Sequence, residues 1–202
     1  FHGLLKRLML VPIPTIAAVA QDKTASEAAQ ALAELQSTLD ELEAAFATPA
    51  WNLRTPQDYA EARRVTLHTL LHGLQCWLEA DPARPFFTLF TDQHKKLLGD
   101  NPDARYYSAV IDDQHGYRIR GNLAGATYTS FTIELAAGTD GGGIGSTLND
   151  TQFKADENGD YEIIVSAEKV DGNWLPMSKG ATSLTTRHYY EREQCINHDR
   201  LH

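Results

Sequence analysis

After Gly99 the chain stops reading as helix and starts reading as strand, and this change most limits the folds open to it. Tyr106–Ile111, Tyr117–Leu123, Thr127–Ala136, Tyr161–Glu168 and Ser183–Glu191 are short runs rich in Tyr, Ile, Val and Thr. Clusters of Gly, Asn and Asp separate them, which is how strands and their turns are punctuated. Parallel neighbours need a crossover of a dozen or more residues, usually a helix. No long helical pattern falls between these runs, so they predict antiparallel pairing in a sandwich or jelly-roll. Asn158-Gly159, between Phe153 and Tyr161, is a hairpin turn signal. Gly138 to Gly145 reads as a glycine-rich loop.

Upstream the period is helical. Leu32, Leu35, Leu39, Leu42 and Phe46 recur every three or four residues, predicting a helix from Thr24 to Ala47. Thr24 and Glu27 have capping-box spacing at its start. A second helix opens at Thr55-Pro56-Gln57-Asp58, with Thr as N-cap and Pro in the first turn. It runs to about Ala80, with Leu67, Leu70, Leu71, Leu74, Trp77 and Leu78 as its expected buried face. A shorter helical piece is expected from Thr91 to Leu98. The expected class is α+β: an N-terminal segment over 1–22, a helical hairpin within 23–98, and a β-rich module over 99–202.

The N-terminal segment has the outline of a signal peptide. Lys6-Arg7 precedes an apolar run closing on Ala18-Val19-Ala20. Pro12 and Pro14 interrupt that run, which favours an extended segment, and it is too short to span a bilayer. The chain lacks an initiator Met and stops just after a strand-like run, as a piece of a longer protein would. Its two cysteines, Cys76 and Cys195, make neither a disulfide framework nor a C-x-x-C pair, a usage that suits a reducing compartment such as the cytoplasm. An active signal would instead direct the protein to the periplasm or outside. A formal charge of -9 repels phosphate backbones, and Arg63-Arg64, Lys95-Lys96 and Arg118/Arg120 are scattered rather than clustered, so nucleic acid is not an expected partner.

Several constellations could carry chemistry. Asp100 and Asp103 flank Asn101-Pro102 at the helix-to-strand junction, where a loop can present carboxylates to a ligand or a hard cation. Asp and Asn there also serve routinely as turn caps. Arg118, Arg120 and Asn122 share one face of a strand, as do Tyr128, Ser130, Thr132 and Glu134. If the two faces coincide, guanidiniums, hydroxyls and a carboxylate would meet an anionic or polyhydroxylated small molecule. Cross-strand Arg–Glu pairing on a solvated face is the alternative.

His68 and His72 have the i, i+4 spacing of a metal pair, and Cys76 continues their line. They project opposite the leucine face, however, and no H-E-x-x-H motif is present. A solvent-facing histidine pair is the plainer reading. Asp156 to Asp160 is acidic like a calcium loop, but its glycine is misplaced and Ala167 occupies the closing position. Gly141 to Gly145 has no phosphate-loop lysine, and no G-x-S-x-G elbow presents a nucleophile. No motif implies a cofactor. Trp174, beside Asn173, reads as a core plug.

Five blocks occur in order: Gly99-Asp100-Asn101-Pro102-Asp103-Ala104 with Tyr106-Tyr107, then Tyr117 to Asn122, Tyr128 to Glu134, Asn173 to Pro176, and Arg187-His188-Tyr189-Tyr190. Together they resemble the bacterial DUF-1214 family from about the second helix to the end. The resemblance implies the β-rich fold and a second β-rich half, and some members carry an upstream DUF-1254 domain. It implies no activity. The candidate ligand set is therefore Asn101, Tyr107, Arg118, Arg120, Asn122, Tyr128, Ser130 and Arg187, with Asp100, Asp103 and Glu134 as candidate catalytic carboxylates. The expected function is small-molecule binding, with a metal-assisted or acid–base hydrolase or lyase as one alternative. Assembly through the first helix, as a homo-oligomer or on the missing half, is the other.

Overall fold

The computed structural model describes residues 23–92, 95, 97, 99–136 and 142–191. The signal-like segment, Cys195, Gly138 to Gly141 and the Thr24 side chain lie outside them. Among the described residues two helices, α1 (Lys23–Phe46) and α2 (Pro56–Trp77), precede eight strands in two sheets, an α+β architecture. The chain divides into two compact units, 1–59 and 60–202. No helix of the described residues is long and apolar enough to cross a membrane.

In the first unit, α1 ends where the Phe46 ring meets Trp51, with centroids 5.2 Å apart, across a short 3-10 turn at Pro49–Trp51. The cap expected at the start of α2 is present. The Asp58 amide donates to Thr55 Oγ1, and Asp58 Oδ2 accepts the Thr55 amide at 2.8 Å. These reciprocal bonds satisfy donors that the first helical turn leaves open.

The strands are β1 (Thr88–Leu89), β2 (Ala104–Val110), β3 (Tyr117–Asn122), β4 (Tyr128–Leu135), β5 (Ile144–Asn149), β6 (Asp160–Ser166), β7 (Trp174–Pro176) and β8 (Ala181–Tyr189). One sheet has the order β1-β2-β8-β4-β5 and is antiparallel throughout; the other is β3-β6-β7. The pairing of β6 with β7 is parallel, contrary to the all-antiparallel expectation. A tight loop that turns the chain back brings β7 alongside β6, and Asn173 fixes it by accepting the Lys154 amide and donating to the Lys154 and Glu162 carbonyls.

One core joins the two sheets. Phe131, Ile133 and Leu184 from the larger sheet cluster with Ile119, Ile163, Val165 and Leu175 from the smaller. Phe131 is fully buried and meets Phe153 and Tyr161 edge-on, at 5.7 and 5.6 Å between centroids. The plug of the Asn-Trp-Leu-Pro block is Leu175, at 0% exposure, rather than Trp174, whose Nε1 donates to Ser166. Alternation decides this, because neighbouring strand residues point to opposite faces.

The Tyr161 hydroxyl is buried and has no hydrogen-bond partner among the described residues, and burial holds its pKa well above the ordinary range. Tyr161→Phe is therefore expected to raise stability by about 1 kcal/mol, read by urea denaturation. A loss of stability would show that the hydroxyl is satisfied.

Three further sequence expectations are corrected. Asn158-Gly159 does not join two paired strands, since β5 pairs with β4. It forms a tight turn leading into β6, with Asp156 Oδ1 accepting the amides of Asn158 and Asp160. The end of the glycine-rich segment is strand β5. A Cβ at Gly145 would stand 2.5 Å from Ser178 Oγ, so glycine serves close approach there. In the expected helix over Thr91 to Leu98, the described residues are not helical.

Candidate functional site

The inward face of α2 is the reverse of the expected one. Ala62, Thr66 and Cys76 are buried, while Leu67, Leu71, Leu74, Trp77 and Leu78 are each more than 40% exposed. The physical reason lies in the segment that the helix meets. The His72 ring packs edge-on against Phe90 at 4.1 Å, and Gln75 Oε1 accepts a hydrogen bond from the buried Lys95 Nζ. Small side chains let the helix approach this segment, and its polar groups find partners there.

His72 is thus not solvent-facing. Cys76 Sγ lies 3.4 Å from its Nδ1, and the ring also bonds the Phe90 backbone. Among the described residues no group of three or more His, Cys, Asp or Glu side chains is placed to hold a metal ion. Burial, and then the nearby Lys95 charge, hold the His72 pKa below its ordinary 6.5. Burial pushes the Cys76 thiol up.

A base with a depressed folded-state pKa takes up protons more readily once unfolded. Its contribution to stability is present above 6.5 and is lost as pH falls through the folded value. Between about pH 7.5 and 5.5 the melting temperature is expected to drop more in the wild type than in His72→Gln. Equal drops would reject a neutral His72.

Beside α2 the outer face of the five-stranded sheet carries polar residues in cross-strand rows. Arg187 on the central strand β8 stands between Tyr106 on β2 and Ser130 on β4. Thr185 lies between Ser108 and Thr132, and Ser183 pairs with Glu134. A cleft of about 380 Å³ opens on this face, lined by Arg187, Glu134, Asp100, Tyr106, Ser108, Ser183 and Thr185. His72, Trp77, Phe90, Leu97 and Gly99 complete its wall.

Arg187 Nη1 donates to Thr132 Oγ1 at 2.9 Å, and its Nη2 lies 3.8 Å from Glu134 Oε1. The Tyr189 hydroxyl bonds Tyr106, which with burial raises its pKa. Tyr128 packs edge-on against Tyr189 at 5.7 Å and extends this aromatic edge.

Asp100, Glu134 and Arg187 therefore meet in one cleft, which the other candidates do not line. Asn101 caps the turn, its Oδ1 accepting the Asp103 amide at 2.8 Å. Asp103 is exposed and its carbonyl accepts the Tyr190 amide. Tyr107, opposite Thr186, points to the other face of the sheet near His188. Asn122 is 3% exposed and clamps the β6 turn, donating to the Asn158 carbonyl and to Asp160 while accepting the Ala124 amide. Ser130 is buried beside Arg187.

Arg118 and Arg120 belong to the other sheet, so the two expected faces do not coincide; both guanidiniums meet Glu162. Tyr106, Ser108, Ser183 and Thr185 were missed as site residues. The strand run Ser183-Leu184-Thr185-Thr186-Arg187 carried the signal for two of them, since Ser183 and Thr185 share a face with Arg187. Nothing in the sequence pointed to His72 as a wall of the cleft.

No family model matches the chain, and no curated protein matches it. Among solved structures, an uncharacterised protein from Burkholderia cenocepacia shares the fold, with TM-score 0.73 and 25% identity over 84% of this chain and 48% of that one. The chain thus spans about half the length of that protein. The VPA0106 protein from Vibrio parahaemolyticus matches at TM-score 0.38 and 20% identity, over 50% of this chain and 29% of that one.

Proposed function

We propose that the chain binds a small polyhydroxylated molecule in the cleft on the outer face of the five-stranded sheet. The observation that carries this reading is the Arg187 guanidinium, fixed by Thr132 and set beside Glu134 among the hydroxyls of Ser108, Ser183 and Thr185. Vicinal hydroxyls both donate and accept, matching a fork of N–H donors next to carboxylate acceptors. Trp77, Phe90 and Tyr106 supply apolar walls on which a ring can lie. Among the described lining residues one cation, Arg187, accompanies two carboxylates, Glu134 and Asp100, and the His72 pKa is held below its ordinary value. That balance disfavours a strongly anionic ligand and narrows the expected class to neutral or weakly charged polyols.

Calorimetric titration with neutral mono- and disaccharides, sugar acids and dicarboxylates tests this. Saturable binding of a neutral polyol is the expected result, and preferential binding of a dicarboxylate would overturn it. A second reading, acid–base hydrolysis of such a ligand, is favoured by Asp100 and Glu134 lining the same cleft. Release of nitrophenol from nitrophenyl glycosides, abolished in Glu134→Gln, is its test. The ordered blocks support placing the chain in the DUF-1214 family, and its cysteine usage supports a reducing compartment.

A further inference from the structure

A second groove, of about 360 Å³, runs along β3 of the smaller sheet, is lined also by Ala109 and Leu184 of the larger one, and differs from the cleft in charge and in walls. Tyr117 to Arg120 line it in succession, and β3 is the edge strand of its sheet, so the groove follows the outer edge where side chains of both faces are reached. Phe86, Phe87, Ile111 and Ile119 make its apolar surface. Phe87 also packs against the core, whereas Phe86 is 52% exposed.

Arg118 and Arg120 supply the charge. Each meets Glu162 through Nε, at 3.6 and 2.8 Å, so two guanidiniums share one carboxylate. A guanidinium has five N–H donors, and a contact through Nε leaves most of them for another acceptor. The site is therefore net positive beside exposed aromatic surface, the reverse of the balance around Arg187.

We propose that this groove is a separate binding site for a monoanion with an apolar body, an alkyl or aryl carboxylate or sulfonate. Its acid group engages the guanidiniums of Arg118 and Arg120, and its body lies against Phe86 and Ile119. Glu162 acts as an internal competitor that holds both arginines in place and limits affinity. Such a ligand pairs charge-assisted hydrogen bonds at one end with buried apolar area at the other.

The test uses 2-naphthoate as probe and 2-naphthalenemethanol as its neutral analogue, titrated by calorimetry and by ligand-observed NMR. The acid is expected to bind saturably with one site, and the alcohol at least about tenfold more weakly. Arg118→Ala/Arg120→Ala is expected to weaken the acid by about tenfold or more, and Glu162→Gln to tighten it several-fold. Phe86→Ala, at an exposed position that leaves folding intact, should weaken acid and alcohol alike. Arg187→Ala should leave the probe unaffected, which keeps this site distinct from the polyol cleft. Unchanged affinity in the double arginine variant or in Phe86→Ala would overturn the proposal. So would equal binding of the alcohol, or no saturable binding of the acid up to ~5 mM.

Discussion

Phe131→Ala is expected to destabilise the β-rich unit by about 4 kcal/mol, the largest single effect in the molecule. Its ring is fully buried at the centre of an aromatic cluster, with Phe153 at 5.7 Å, Tyr161 at 5.6 Å and the His188 ring at 6.5 Å. Truncation removes the transfer energy of the ring and leaves a cavity, because these neighbours belong to strands or turns pinned by their own ladders. It also removes edge-to-face contacts, each worth about 0.5–1.5 kcal/mol. Urea unfolding followed by circular dichroism measures the loss. A cost below about 2 kcal/mol with cooperativity retained would mean that the two sheets do not share this core. Phe131→Leu keeps most of the volume and should lose clearly less.

Arg187→Ala is expected to weaken polyol binding in the cleft by about tenfold to a hundredfold. Among the described residues that line the cleft the guanidinium is the one cation, and its loss takes away the positive charge beside Glu134. Thr132, 5% exposed, also loses the donor at 2.9 Å, so the melting temperature should fall modestly. Arg187→Lys keeps the charge but not the planar fork, and an intermediate affinity is expected. Calorimetry on the three proteins reads the series. Full affinity in Arg187→Ala, with folding intact, would remove the cleft from consideration.

Much of the fold was legible. The five strand runs correspond to β2, β3, β4, β6 and β8, with ends displaced by at most two residues. Both helices are present, and the Thr55-Pro56-Asp58 start of α2 is capped as its chemistry requires. The strands that were missed have local reasons. β1 and β7 are two and three residues long, too short to show a period. β5 begins at Ile144-Gly145, where glycine meets the steric need of Ser178 while looking like loop punctuation.

The site was legible only in part. Asp100, Glu134 and Arg187 were singled out for their chemistry and do line one cleft. Asn101 and Asn122 were singled out for the same chemistry, yet they use it on the backbone of turns, Asn101 in its own and Asn122 both in its own and in the one before β6. A side-chain amide has the same donors and acceptors whether it meets a ligand or a peptide group, so residue type alone does not separate the two uses.

The sequence by itself determined the two long helices, five of the strands and the two faces of each, because strand period and helix capping are local properties of a few adjacent residues. Leu184 inward and Arg187 outward follow from alternation alone. Only the tertiary structure decided which strands became neighbours. That choice placed Arg118 and Arg120 with Glu162 in one sheet and Arg187 with Glu134 in the other. It also turned the His72 side of α2 inward and left its leucines exposed. The reason is that pairing and packing are settled by contacts between residues distant in sequence, where area, partner geometry and charge outweigh the local hydrophobic period.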